Sequence, residues 1–191
     1  MPDLTCLQQQ LRVPHRRQMK SVVIHSDGAC EGNPGPGGWA CTLVYLHHTK
    51  EISGGEAATT NNRMELKAAI EGLRVLKEPC SVEFFTDSEY LRNGITEWVK
   101  DWKVRGWRTK EKKPVKNDDL WKELDVLASS HQISWQWLKG HAGHDHNERC
   151  DFLARQEIGN IRKKFSTEQL LKLMEEFKLR NGATTEAQTL I

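Results

Sequence analysis

The chain has 191 residues, of which 37% are hydrophobic and 28% are charged, a composition typical of one globular domain with terminal tails. No apolar run approaches the roughly 18 residues that a membrane helix needs, and Met1–Lys20 lacks the apolar core of a signal peptide. The net charge is only +2, but eight basic and two acidic residues fall between Trp98 and Lys116, so that segment carries +6 and the rest −4.

The first part of the chain predicts three short strands. Strand patterns occupy Lys20–His25, Trp39–His47 and Glu51–Ala57. The first strand ends at Asp27, and a loop rich in glycine and proline, Gly28–Gly38, leads into the second. Hairpin-like links would make the three strands antiparallel.

The remainder of the chain alternates helices with single strands. Apolar residues at helical spacing cover Asn62–Lys77, Ser88–Trp102, Asp118–Ser129 and Glu148–Ile158, and strand patterns cover Ser81–Thr86 and Ile133–Leu138. Helices between strands imply parallel crossovers. The sequence therefore predicts an α/β fold with a five-stranded mixed sheet, in which three antiparallel strands precede the parallel ones and helices cover both faces.

Four carboxylates occupy well-marked positions in these elements. Asp27 and Asp87 stand where an apolar strand stops, Glu65 lies on the first turn of a helix, and Asp151 lies early on another. Sites form beyond the carboxyl ends of parallel strands, and clustered acids repel one another unless a divalent cation lies between them. Each acid alone also fits a plain structural role, but their joint occurrence favours Mg²⁺ or Mn²⁺ and phosphodiester cleavage.

The segment Trp98–Lys116, called here the basic segment, interleaves tryptophans with basic residues. They are Trp98, Trp102 and Trp107 with Lys100, Lys103, Arg105 and Arg108. A run of charges is usually a solvated face, but three tryptophans are costly on such a face. Lysine and arginine bind phosphates with little sequence preference, so the pattern favours nucleic-acid binding.

Cysteines and histidines do not predict a structural metal. The five cysteines are an odd number without a C-x-x-C pair, which argues for reduced thiols in a reducing compartment, and we expect a monomer in the cytoplasm. The group His141, His144, His146 and Cys150 lacks a second ligand cluster elsewhere, so zinc is disfavoured.

Longer strings identify the family that the chain resembles. D-G-A-C-x-G-N-P-G-P-G-G, T-T-N-N-R-M-E-L, T-D-S-x-Y and K-G-H-A-G-H-x-x-N-E-R-C-D occur in the order found in type 1 ribonuclease H, closest to the bacterial ribonuclease HI pattern. The resemblance runs from about Lys20 to about Ile158. It implies the ribonuclease H-like fold and an endonuclease that hydrolyses the RNA strand of RNA–DNA hybrids without sequence preference, leaving 5′-phosphate and 3′-hydroxyl ends.

The resemblance also implies roles for individual residues. Asp27, Glu65, Asp87 and Asp151 match the acids that hold two Mg²⁺ ions, with Mn²⁺ as an alternative, and Glu65 would also contact the ribose 2′-hydroxyl. His141 matches a mobile histidine that shuttles protons or assists product release. Contacts with the hybrid backbone are implied for Asn33, Asn61 and Asn62, a site near the DNA phosphate for Thr60, and a hold on the DNA strand for the basic segment.

Two other functions stay open from the residues alone. A catalytically silent hybrid-binding module could lose any of the acids, and a resolvase or transposase-like nuclease would share the acids but lack the basic segment. One departure from the family pattern is Glu89, which stands where related enzymes often carry glutamine. This additional carboxylate could repel the substrate phosphate.

The predicted catalytic domain spans residues 20–160, between two tails. Residues 1–19 form an N-terminal tail, with Met1 and Met19 both open as the true start. In the C-terminal extension, 161–191, Ser166 with Gln169 predicts a capping box. An apolar stripe predicts a helix of two to four turns that ends near Asn181, followed by a disordered end from Thr184. This helix could dock on the domain, contact an unidentified partner or extend freely into solvent.

Overall fold

A five-stranded sheet forms the centre of the computed structural model, which describes residues 19–139 and 144–186. Its strands are β1 (Lys20–Cys30), β2 (Gly35–Tyr45), β3 (His48–Thr59), β4 (Cys80–Thr86) and β5 (Gln132–Trp137). They lie in the order β3-β2-β1-β4-β5. The pairs β1–β2 and β2–β3 are antiparallel, whereas β1–β4 and β4–β5 are parallel. The predicted mixed sheet is confirmed.

Helices cover both faces of the sheet. They are α1 (Asn61–Arg74), α2 (Glu89–Asn93), α3 (Val99–Val104), α4 (Asp118–Ala128), α5 (Asp145–Lys164) and α6 (Thr167–Glu186), with a π-helical turn (Gly94–Trp98) between α2 and α3. Cys41 on β2 donates a hydrogen bond to the Ala68 carbonyl of α1, whereas its neighbour Ala40 packs against Cys150 of α5. Neighbouring strand residues point to opposite faces, so α1 and α5 lie on opposite sides. Among the described helices, none is long and apolar enough to cross a bilayer.

The main core lies between the sheet, α1 and α4. Leu66, Ile70 and Leu73 recur on one side of α1 and are buried almost completely, as are Phe84 of β4 and Trp121 of α4. Each such side chain contributes roughly 1.5–3 kcal/mol by leaving water. This packing holds α1 against β1 and thereby fixes the position of the acid that α1 carries.

The first strand differs from its prediction. It continues past Asp27 to Cys30, because Gly28–Cys30 pair with β2, so most of the predicted loop belongs to strands. The parallel ladder between β1 and β4 nevertheless ends at Ser26 and Thr86. Asp27 therefore lies inside a strand but one residue beyond the end of the parallel pairing, where sites form in such sheets.

The helices also differ in their bounds. Helix α1 begins at Asn61, with Thr60 as its N-cap, so Glu65 lies on the second turn rather than the first. The capping box before α6 is confirmed, since the Ser166 amide donates to Gln169 Oε1 at 2.8 Å and the Gln169 amide donates to Ser166 Oγ at 3.2 Å. The helix itself has 20 residues and continues to Glu186, so the predicted two to four turns were too few.

The π-helical turn reflects close packing against α4. A Cβ atom on Gly94 would lie 2.1 Å from the Trp121 ring, closer than any real contact. Glycine therefore lets the backbone of the turn approach the indole. Such π-helical turns are rare and occur mostly as single turns within α-helices, as here between α2 and α3.

Candidate active site

Three of the four predicted acids meet at one point beside the sheet. Asp27 on β1, Glu65 on α1 and Asp87, the residue after β4, each present a carboxylate oxygen, and these oxygens lie within 4.8 Å of one another. Asp27 is 7% exposed and Glu65 is 5% exposed. Like charges at this separation in a buried setting repel one another strongly.

A glycine allows the first two acids to approach. A Cβ atom on Gly28 would lie 2.3 Å from the Glu65 backbone nitrogen, so a larger residue would force α1 away from β1. The Gly28 amide also donates a hydrogen bond of 2.8 Å to Asp27 Oδ1, which orients that carboxylate. The glycine that follows Asp27 in the sequence therefore both allows the close approach of α1 and orients the carboxylate.

The electrostatics of the group fit a divalent cation. Burial and the charges of Asp87 and Asp151 raise the pKa of Asp27 to about 8. Burial, together with Asp27 and Asp87, raises the pKa of Glu65 well above its ordinary value. Glu65 Oε2 is buried and has no hydrogen-bond partner among the described residues. A hard cation would give this oxygen a partner and offset the repulsion, and oxygen ligands are those that Mg²⁺ prefers.

Asp87 is held by two residues that the sequence did not point to. Asn147 Nδ2 on α5 donates to Asp87 Oδ2 at 3.3 Å, and Trp137 Nε1 donates to the Asp87 carbonyl at 3.1 Å. Asn147 is buried, and a buried amide usually has a specific partner. Its place in the string N-E-R-C-D was the available signal.

Asp151 lies in the same cleft but outside the group of three. Its carboxylate accepts hydrogen bonds of 2.7 and 2.9 Å from Arg155 Nε, one helical turn further along α5. Arg155 was not singled out from the sequence, although its spacing of four residues from Asp151 on a helix is typical of such pairs.

These side chains line a cleft of about 750 Å³, called here the acidic cleft. Asn61 and Asn62 at the start of α1, two of the predicted substrate-binding residues, also line it, and so does Glu89. Asn33 and Thr60 do not. They line a neighbouring cleft of about 950 Å³, called here the second cleft, which runs beside α6. The predicted backbone contacts are thus divided between two adjoining clefts.

The tryptophans of the basic segment pack chiefly on other aromatic rings. The ring centroids of Trp98 and Trp102 lie 5.8 Å apart, and Trp102 lies 5.6 Å from the buried Trp121. The ammonium group of Lys122 lies over the ring of Trp107, with Nζ 5.6 Å from the ring centroid. This aromatic stack supports the basic segment on α4.

The basic side chains of the segment differ in their surroundings. Lys103 forms an ion pair with Asp125 at 2.7 Å, and Arg105 forms one with Asp101 at 2.9 Å. Lys100 is exposed and forms no ion pair within the described part of the chain, and Arg108 donates to a backbone carbonyl. None of the seven predicted binding residues of this segment lines either cleft.

One predicted catalytic residue falls outside the described residues. His141 belongs to residues 140–143, between β5 and α5, so its role stays a prediction. Within the described residues, the cysteines at positions 30, 41, 80 and 150 form no disulfide.

Comparison with known proteins gives a consistent result. A model of the RNase H family matches residues 19–159. Ribonuclease H of Ralstonia nicotianae is 59% identical over 140 residues, which cover 73% of this chain and 93% of the relative. The crystal structure of LC9-RNase H1, a type 1 RNase H with the type 2 active-site motif, is similar with a TM-score of 0.68 at 35% identity, covering 74% of each chain. The fold is also shared with LC11-RNase H1, which was crystallised with an RNA/DNA hybrid. The TM-score is 0.56 at 23% identity, and the match covers 73% of this chain and 97% of LC11-RNase H1.

Proposed function

Since this chain belongs to the RNase H family and is an endoribonuclease, we propose that it cuts the RNA strand of RNA–DNA hybrids with two divalent ions, leaving 5′-phosphate and 3′-hydroxyl ends. The observation that supports this best is the group of three carboxylates, two of them buried, with one buried oxygen lacking a partner. Cleavage without sequence preference follows from binding through phosphates.

In the proposed mechanism the acids hold the cations beside the scissile phosphate. Asp27, Glu65 and Asp87 would bind Mg²⁺, and Asp151 would complete a coordination sphere when its carboxylate turns from Arg155. Divalent cations, when bound, activate water at neutral pH and stabilise the charge on the leaving oxygen. Gly28 and Asn147 keep the first and third acids in place through their hydrogen bonds. The group is therefore oriented before the substrate arrives.

Recognition of RNA would take place in the same cleft. Glu65 is positioned beside Asn61 and Asn62, so its carboxylate can accept a hydrogen bond from the ribose 2′-hydroxyl next to the cut. This hydroxyl distinguishes RNA from DNA at a site. Asn33 and Thr60 in the second cleft would contact the backbone of the DNA strand, and the basic segment would hold the same strand further away. The structure of LC11-RNase H1 with a hybrid supports this choice of substrate.

The direct test is cleavage of an end-labelled RNA–DNA hybrid with Mg²⁺ or Mn²⁺, compared with duplex RNA and duplex DNA. We expect cutting of the RNA strand of the hybrid alone, and loss of cutting in Asp87→Asn. Analysis of the product ends checks for 5′-phosphate and 3′-hydroxyl. Binding of the hybrid without cutting in either metal would contradict the proposal and leave a hybrid-binding module. Equal cutting of duplex DNA would instead point to a different nuclease on this fold.

A further inference from the structure

Helix α6 lies outside the family match, which ends at residue 159, yet it is packed on the sheet. Its apolar stripe faces β3, with Leu170 only 8% exposed and three half-buried residues following at helical spacing, Leu173, Met174 and Phe177. The capping box fixes where the helix begins. Anchored along this stripe, the helix has a defined position relative to β3.

The C-terminal half of α6 forms one side of the second cleft. Phe177, Lys178 and Asn181 line the cleft together with Lys113–Asp119, which includes the end of the basic segment and the start of α4. Glu56 and Ala58 of β3 and Thr60, the N-cap of α1, also line it. At about 950 Å³ the cleft is larger than the acidic cleft, and α6 makes one of its walls.

The lining of the second cleft is positively charged. Five basic and three acidic side chains line it, which leaves a net charge of +2. Two of the acids are paired, Asp119 with Arg63 at 2.7 Å and Asp118 with Lys122. Lys113, Lys116 and Lys178 are exposed and form no ion pair within the residues that the structure describes. Exposed ammonium groups around a cleft attract phosphates.

The second cleft adjoins the acidic cleft. Thr60 lines the one and Asn61, the next residue, lines the other. The turn between β1 and β2 is shared in the same way, with Glu31 in the acidic cleft and Asn33 in the second. A duplex whose RNA strand lies over the three acids therefore has its neighbouring strand near the second cleft.

We propose that α6 is part of the nucleic-acid-binding surface, with Lys178 contacting the phosphate backbone of the DNA strand across the second cleft from Lys113 and Lys116. The inference rests on the proposed function, since it takes the hybrid as the ligand. It assigns to the C-terminal extension a role in affinity for the substrate. The extension thus widens the binding surface that residues 19–159 provide.

The test compares two charge reversals on the same helix, Lys178→Glu and Lys172→Glu. Both lysines are exposed, but Lys172 lies about 120° away from Lys178 around the helix axis and does not line the cleft. The full-length protein carries Asp87→Asn so that the hybrid is not cut. Binding of a fluorescent RNA–DNA hybrid is measured by anisotropy over a series of salt concentrations, and circular dichroism checks that both variants fold.

We expect Lys178→Glu to weaken binding on the order of 10-fold at low salt and to lower the slope of log K against log salt by about 0.9, the value for one phosphate contact. Lys172→Glu should bind within about twofold of the parent. Equal effects of the two reversals, or no effect of either, would overturn the proposal. Tighter binding by Lys178→Glu would also overturn it and would show that α6 obstructs the cleft. Wild-type protein that neither binds nor cuts the hybrid would contradict the proposed function itself.

Discussion

The acidic cleft and the basic segment both concentrate charge of one sign, but they relieve the repulsion in different ways. In the acidic cleft, Asp27 and Glu65 are buried beside Asp87, and one Glu65 oxygen lacks a partner within the described chain. In the basic segment the charges are exposed to water, and Lys103 and Arg105 have acidic partners nearby. A bound cation would offset the repulsion in the cleft, whereas solvent and acidic neighbours screen the charges of the basic segment.

Because the charges are buried in one region and exposed in the other, we expect the acidic cleft to contribute to catalysis and the basic segment to contribute to binding. If the clustered carboxylates of Asp27, Glu65 and Asp87 act as one unit, removing one is expected to disable the site. Exposed lysines act through additive, salt-screened attraction, so removing one is expected to weaken binding by a small factor. Substitutions in the two regions should therefore differ in the kinetic parameter that they change as well as in size.

The largest effect is expected for Glu65→Gln. The substitution keeps the shape of the side chain but removes a charge that would hold a cation, so the cleavage rate should fall about 10³-fold or more, as when several kcal/mol of transition-state stabilisation are lost. Single-turnover cleavage measures the rate, and anisotropy with uncut hybrid measures binding. Binding should change less than the rate. Near-normal cleavage would show that Glu65 is not part of the catalytic group.

The second-largest effect is expected for Asp27→Asn, whose stability should depend on pH less than that of wild type. In the metal-free protein the pKa of Asp27 is raised from 3.8 to about 8 by burial and by neighbouring carboxylates. The folded state keeps a proton that the unfolded state releases, so stability from this group is complete below about pH 3.8 and is lost as the pH rises through about 8. Asparagine carries no such group.

The measurement is thermal unfolding with EDTA across this pH range. The melting temperature of wild type should fall relative to that of Asp27→Asn as the pH rises, by several degrees at about pH 8. Mg²⁺ should stabilise wild type more at about pH 8 than at about pH 5, and should stabilise Asp27→Asn less. Parallel pH profiles for the two proteins would show that Asp27 is ionised in the folded state without a cation.

The sequence predicted much of the fold and the positions of the acids. Alternating patterns and strand ends predicted the mixed sheet and brought Asp27 and Asp87 to neighbouring strands, since those signals are local. The extension of β1 to Cys30 was not predictable, because pairing with β2 overrides the low strand preference of Gly28. The docking of α6 was also beyond the sequence, since an apolar stripe does not identify the surface that covers it.

The division of the predicted substrate-binding residues between two clefts was also not predictable from the sequence. The resemblance implied a contact with the hybrid backbone for Asn61 and a site near the DNA phosphate for the adjacent Thr60, but Thr60 is the N-cap of α1 and Asn61 is its first residue. The backbone changes from extended to helical at this point, which directs the two side chains to different clefts. A shift of one residue in a helix boundary is within the uncertainty of any sequence pattern.

A smaller effect is expected in the basic segment, for Lys100→Ala. This exposed lysine has no ion pair in the described structure, so its charge is available to a phosphate. The KM for the hybrid should rise about threefold. The slope of log KM against log salt concentration should fall by about one, because one phosphate contact is lost. Lys164→Ala, at the far end of α5, is the matched control and should show neither change. A fall in kcat without a change in KM would mean that the basic segment takes part in the chemical step, which would break the separation between the two regions.

The smallest effect is expected at the border of the acidic cleft, for Glu89→Gln. Glu89 lines the cleft but is exposed on the first turn of α2, so water screens its repulsion of an incoming phosphate. We expect the KM to fall about twofold, measured beside Glu97→Gln, an acid in the following π-helical turn that does not line the cleft. A sharp loss of cleavage would place Glu89 among the acids that act as a unit. An exposed carboxylate would then have behaved like the buried ones, so burial alone would not distinguish the catalytic acids from the charges that affect only binding.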